Sequence, residues 1–123
     1  MKYITKKFLR NNPDTIFVFG DNLQRKGLGG AAKLRNEPNT YGFITKKAPN
    51  NNWSSFYKPD DYKFVYMAEM LKLVSLIESS RDKTFYISKL GSGLANKHNI
   101  YESIIKKGLT LLEKHDNVVL MKG

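Results

Sequence analysis

The chain has no cysteine in its 123 residues. That excludes a disulfide framework, a thiol nucleophile and any Cys-ligated zinc site. Histidine is scarce as well: His98 and His115 stand far apart, so no His-containing metal motif exists and no metal or other cofactor is expected. Acidic residues are few, 11 Asp and Glu against 21 Lys and Arg. They show no paired-carboxylate spacing of the kind that hydrolyses a glycosidic bond. No window approaches the roughly 20 consecutive apolar residues of a membrane-spanning helix. The opening MKYITKKFLR is basic but lacks the apolar core of a signal peptide. A cytoplasmic location, away from membranes, is the expectation.

What is present is a globular composition with a strong positive charge. Apolar residues make up 41% and aromatic residues 12%, enough for one core and one domain over 1–123. The net charge of +10 raises the local concentration of anions, whether nucleotide or nucleic acid. The lysines are scattered instead of lying along one helix face, which argues against a duplex reader.

The apolar pattern predicts alternating strands and helices. Residues 2–9 alternate loosely and suit an edge strand, followed by a turn at Asn11-Asn12-Pro13-Asp14. Ile16-Phe17-Val18-Phe19 reads as a central strand buried on both faces. Residues 30–36 suit one or two helical turns, ended before Pro38. Strands follow at 41–45, 84–88 and 118–121. Asp60 and Asp61 supply an acidic cap for a helix over 61–79, with Phe64, Met67, Ala68, Leu71, Val74 and Ile77 as its core-facing stripe. A second helix is expected over 99–114, with Ile100, Ile104, Ile105, Leu109 and Leu112 inward. This alternation argues for an α/β fold with a largely parallel or mixed sheet covered on both faces.

Two strands run directly into glycine clusters. The first leads into Gly20, Asp21 and Asn22 and then Gly27, Gly29 and Gly30; the other leads into Gly91-Ser92-Gly93-Leu94. Such junctions bring phosphate against bare backbone N–H groups. Neither string is a Walker A motif or a dinucleotide fingerprint. In α/β sheets ligands bind beyond the carboxyl ends of strands, where both loops fall. Asp21 and Asn22 fit two roles, capping the turn or touching a ribose and orienting a water. Arg35, Thr45 and Lys46 fit either phosphate contacts or ordinary surface positions. Ser92 lacks a Gly-x-Ser-x-Gly elbow and a partner Asp–His set, so it is not read as a nucleophile. Trp53, Phe56 and Tyr57 sit in an Asn- and Pro-rich loop, as a stacking wall over a base or a plug at the sheet edge.

VFGDNLQRKGLGGAAKLR and FYISKLGSGLANKHNIYESIIKKGL together resemble the two glycine-loop blocks of the macro-domain (ADP-ribose-binding) superfamily. The chain is similar in particular to small macro-like proteins of phages and bacteria, which share an FG-[DS]-N-L … G-x-G-[GA]-A core, a Thr-Lys pair and G-x-GLA. The resemblance covers most of residues 15–108. It implies a three-layer α/β/α sandwich around a mixed sheet, with a diphosphate between the two loops. Asn22 would contact the distal ribose, Gly29 and Gly30 would form the first loop, and Gly91 to Leu94 the second. The Asp that binds adenine in typical macro domains has no clear counterpart here, and the N-terminal strands are reduced.

The expectation is a nucleotide binder, with ADP-ribose or a derivative as ligand. Its reaction would be hydrolysis of an ADP-ribosyl linkage or a terminal phosphate, with Asn22 and Asp21 as the catalytic pair. Gly20, Gly27, Gly29, Gly30, Arg35, Thr45, Lys46, Gly91, Ser92, Gly93 and Leu94 would line the ligand. Two alternatives stand beside it: a non-catalytic protein that sequesters a nucleotide signal, and a basic nucleic-acid-binding module.

Overall fold

A computed structural model describes residues 3–122 of the chain. The apolar run at 16–19 lies inside β1, Thr15–Asn22, the longest strand. It is joined by β2 (Thr40–Lys46), β3 (Thr84–Ile87) and β4 (Val118–Leu120). The four form one sheet in the order β2-β1-β3-β4, and every ladder is parallel. The fold is α/β, and its sheet is parallel throughout.

Strand periodicity divides the core in two. Val18 points to one face, while Phe17 and Phe19 point to the other. Val18 joins Phe43, Phe85, Ile87, Leu73, Ile77, Ile105 and Leu109 in the larger apolar cluster. Phe17 and Phe19 pack with Ile4, Leu9, Ala32, Leu34 and Met121 in the smaller one.

Chain direction explains which helix covers which face. From β1 the chain steps outward to β2 through the 3-10 turn Gly30–Leu34, which contributes Ala32 and Leu34 to the smaller cluster. It then reverses across β1 to reach β3 through the long helix Pro59–Ser79, and continues to β4 through a helical segment that starts near Ile100. Parallel crossovers are almost always right-handed, so reversing the direction moves the crossover to the opposite face. The later helices accordingly pack on the larger cluster.

The N-terminal segment differs from expectation. Residues 6–11 form helix α1, Lys6–Asn11, where the loose alternation predicted an edge strand over 2–9; residue 2 lies outside the described residues. Thr5 decides the matter locally: its hydroxyl oxygen accepts the Phe8 N–H at 3.1 Å, an N-cap bond that starts the helix. Leu9 is then driven under the sheet.

Helix α2, Pro59–Ser79, begins two residues earlier than predicted, with Pro59 in its first turn. Asp61 closes the start by accepting the Lys58 N–H at 2.8 Å. The predicted stripe is mostly wrong. Ile77 is buried and Val74 packs on the core, but Phe64, Met67, Ala68 and Leu71 are exposed. The face turned to the sheet carries Tyr62, Tyr66, Glu69, Leu73 and Ile77. Tyr and Glu do not read as core residues, and the helix carries apolar side chains around much of its circumference. Side-chain bonds described below select the face.

The last helical segment opens as a π-helical turn, Tyr101–Ile105, and continues as α3, Lys106–Leu112. Ile100, Ile105, Leu109 and Leu112 are buried and Ile104 packs on the same cluster, as its periodicity predicted. Gly108 lets α3 approach α2 closely, because a Cβ there would collide with the Tyr66 hydroxyl.

Candidate functional site

β1 pairs with β3 only as far as Val18 and Ile87, and a last bond runs from the Ser88 N–H to the Val18 carbonyl at 3.0 Å. Beyond it the chains diverge. β1 continues along β2 to Asn22, while β3 turns into Lys89-Leu90-Gly91. The sheet order also reverses between β1 and β3, so the gap is a topological switch point at the carboxyl ends of the strands. A cleft of about 540 Å³ occupies it.

Nearly all of the residues expected at a ligand site line this cleft: Gly20, Asp21, Asn22, Gly27, Gly29, Gly30, Thr45, Lys46, Gly91, Ser92, Gly93 and Leu94. Lys26 and Lys89 line it as well and were not predicted, although each flanks a glycine loop. Thr45 arrives through a register shift: Asp21 pairs with Ile44 and Asn22 with Lys46, which leaves Thr45 as the extra residue of β2. Its side chain is buried beneath Gly20, where a Cβ would come within 3.2 Å of Oγ1.

The two loops present donors. Among the described residues, the backbone N–H groups of Gly27, Leu28, Gly29, Gly91, Gly93 and Leu94 have no acceptor within the chain. Gly27, Gly30 and Gly91 have φ of 96°, 57° and 75°, left-handed conformations that glycine adopts at no Cβ penalty. Ser92 behaves differently: its N–H and its hydroxyl both donate to the Lys89 carbonyl, at 3.2 and 2.6 Å, which holds the second loop in shape.

Arg35 does not line the cleft. It clamps the first loop from behind. Nε donates to the Gly27 carbonyl at 2.7 Å, and Nη2 donates to the Lys26 carbonyl at 3.0 Å and to Asp21 Oδ1 at 2.7 Å. The guanidinium also lies over the Phe19 ring, 5.4 Å from its centroid. Arg25, which the sequence reading missed, adds a bond to Asp21 Oδ2 at 3.2 Å and one to the Gly42 carbonyl at 2.7 Å. It lies beyond the end of β1 with φ of 54°, and a four-residue spacing outside a helix gave no signal of the pair. A buried carboxylate is costly unless paired, and Asp21 is buried between two arginines while also accepting the Asn22 N–H.

Asn22 is similarly committed to local structure. Oδ1 accepts the Gln24 N–H at 3.0 Å, and Nδ2 donates to the Lys26 carbonyl at 2.8 Å. An amide carries two N–H donors, so the second is free for a ligand in the cleft. Lys46 reaches the cleft with Nζ 5.0 Å from the centroid of Phe56, and partial burial holds its ammonium below the usual lysine range.

The electrostatics favour an anion. Asp21 is the only acid in the lining among the described residues, and two arginines pair with it. Lys26, Lys46 and Lys89 have no carboxylate within 4 Å among the described residues. A second cavity of similar size, about 560 Å³, lies at the opposite end of the strands among Leu9, Pro13, Ile16, Tyr41 and Leu76. It is lined mostly by apolar side chains and has no glycine loop.

The fold and cleft define an α/β protein with a glycine-rich, lysine-lined crevice at the switch point of a parallel sheet. By sequence, the chain belongs to a family of unknown function (DUF7831), whose model matches residues 1–99, a span that includes both glycine loops. No curated protein and no solved structure matches it. No helix among the described residues is long and apolar enough to cross a membrane.

Proposed function

We propose that the cleft binds an ADP-ribose-type nucleotide, with its diphosphate between the two glycine loops. The observation that carries this reading is that the two loops lining one cleft hold backbone N–H groups without partners, beside three lysines that lack acidic partners. A diphosphate offers two adjacent anionic groups, and opposed loops can each cradle one of them. Gly93 and Leu94 supply donors from the second loop, Gly27 and Gly29 from the first, and Lys46 adds charge. The spare amide proton of Asn22 suits a ribose hydroxyl.

Binding without turnover has more support here than hydrolysis. Asp21, expected as the partner of Asn22 in a catalytic pair, already accepts bonds from Arg25, Arg35 and the Asn22 N–H, which leaves its oxygens poorly placed to orient a water. We therefore favour a protein that holds or sequesters the nucleotide.

Calorimetric titration with ADP-ribose tests this, with chromatography of the same mixture for turnover. Gly93→Val and Gly29→Val are suitable blocking variants, because a Cβ at either position meets nothing within 4 Å and neither has positive φ. Gly91→Val is unsuitable, since its Cβ would come within 2.5 Å of Ile105 and its φ is 75°. Micromolar binding that both valines abolish, with ADP-ribose recovered intact, is the expected result. Wild-type protein that fails to bind, or valine variants that bind as well as wild type, would sink the reading.

A further inference from the structure

Trp53 is the only tryptophan of the chain, and it stands outside the cleft, 70% exposed. It is not on a loose tether. The short turn Trp53–Ser55 is fixed by the Ser55 N–H to the Asn52 carbonyl at 2.9 Å and the Lys47 N–H to the Ser55 carbonyl at 2.9 Å. Asn50 Oδ1 accepts the Asn52 N–H and the Ser55 hydroxyl. The next residue, Phe56, bridges to Lys46 at the end of β2 and is buried. A rigid frame thus holds a large apolar ring in water.

The surroundings of that ring come from the second glycine loop. His98 meets it edge-on, with centroids 5.5 Å apart and planes at 81°. Lys97 Nζ lies 5.9 Å from the Trp53 ring centroid and 5.5 Å from that of Phe56. Lys46, on the cleft side, lies over Phe56 in turn. Lys46, Phe56, Lys97 and Trp53 therefore form a continuous path from the cleft to the rim, alternating positive charge and aromatic ring. Neither Lys46 nor Lys97 has a carboxylate within 4 Å among the described residues.

We propose that this rim binds single-stranded nucleic acid, stacking one unpaired base on Trp53 and placing the flanking phosphates on Lys97 and Lys46. An open aromatic ring beside a basic track is what a single strand requires: every base has a face to stack, and the backbone follows the charge. A duplex keeps its bases stacked on one another and offers none to a single exposed ring. A mononucleotide is a poorer match, because Trp53 is not part of the cleft lining. The site goes beyond the nucleotide reading of the cleft; it shares Lys46 with the cleft but does not require a nucleotide bound there.

The lone tryptophan makes the site directly observable, since intrinsic tryptophan fluorescence reports on it and nothing else. The experiment titrates the full chain with an oligothymidylate of about eight nucleotides, within the usual single-strand site size. Saturable quenching is expected. Affinity should fall with salt, with a logarithmic slope of about −0.7 per phosphate contacted. Trp53→Ala, followed by anisotropy of a labelled oligonucleotide, should weaken binding by about fivefold or more. Lys97→Gln should reduce the salt slope by about 0.7. The quench should persist in Gly93→Val, so a failure of the cleft reading leaves this result intact. Equal affinity for the matching duplex would overturn the proposal, as would absence of quenching. Quenching by thymidine monophosphate at equal concentration, abolished in Gly93→Val, would instead assign Trp53 to the ligand of the cleft and also overturn it.

Discussion

Glu69 on α2 accepts the backbone N–H of Ile44 on β2 at 2.7 Å. β2 is the edge of the sheet, so no neighbouring strand is there to take that donor. The Ile44 carbonyl, on the same side, accepts the Tyr62 hydroxyl at 2.6 Å. Two side chains of one helix thus stand in for a fifth strand. They also fix which face of α2 turns inward, which explains why Phe64, Met67 and Leu71 remain outside.

Removing that substitute should loosen the edge. Glu69→Ala leaves the Ile44 N–H without its acceptor and is expected to cost about 1–3 kcal/mol of stability. Urea unfolding followed by circular dichroism measures it. An unchanged midpoint would mean that water replaces the carboxylate at no cost.

Tyr62 gives the same contact a pH dependence. Burial, and then the nearby Glu69 carboxylate, push its phenol well above the ordinary tyrosine range. A group whose pKa is raised by folding contributes stability that is complete below its unfolded value, about 10, and is lost as pH rises beyond it. Tyr41, Tyr57 and Tyr66 are shifted in the same direction, mainly by burial. The protein should therefore unfold in base, starting above about pH 10. Tyr62→Phe should lose about 1 kcal/mol at neutral pH, for the missing hydrogen bond, and shift the alkaline midpoint upward. A midpoint unmoved in Tyr62→Phe would assign the transition to other groups.

Two glycines should respond in opposite ways. A Cβ at Gly42 would collide with the Asp21 carboxylate and come within 2.9 Å of Arg25 Nη1. Gly42→Ala should force apart the ion pairs behind the first loop and cost about 1–3 kcal/mol. Gly29→Ala meets open space and should leave the melting temperature nearly unchanged. Thermal melts of the two variants side by side test the contrast, which fails if the two lose stability equally.

Lys46 links the cleft to pH. Its pKa is lowered by burial, so it loses its charge at a lower pH than an exposed lysine. Affinity for ADP-ribose should hold steady around neutrality and decline on the alkaline side earlier than surface lysines titrate. Lys46→Gln should weaken binding about tenfold at neutral pH, the effect of one charged hydrogen bond, and flatten that decline. Parallel pH profiles of Kd for the two proteins decide it; superimposable profiles would remove Lys46 from the ligand.

From the sequence alone the four strands of the sheet and the two glycine loops were legible, whereas the edge strand expected over 2–9 is a helix at 6–11. Ile16 to Phe19 and Phe85 to Ile87 are apolar enough to be strands in any context, and the glycines that follow them have few other uses in so small a chain. Their placement at one cleft follows from parallel topology, so most cleft residues were legible. What tertiary structure decided is the assignment of partners. The sequence offered Asp21 as a reactive acid and Arg35 as a phosphate ligand, yet folding brings them together across 14 residues, with Arg25 alongside, because a buried charge must be neutralised. Nor did the apolar spacing of α2 select its buried face; the unpaired edge of β2 did, through Tyr62 and Glu69. Trp53 and His98 meet only because the loop after β2 and the loop after β3 end on the same rim. Local patterns encode which elements form, whereas the pairing of distant polar and aromatic groups depends on proximity that only the assembled sheet provides.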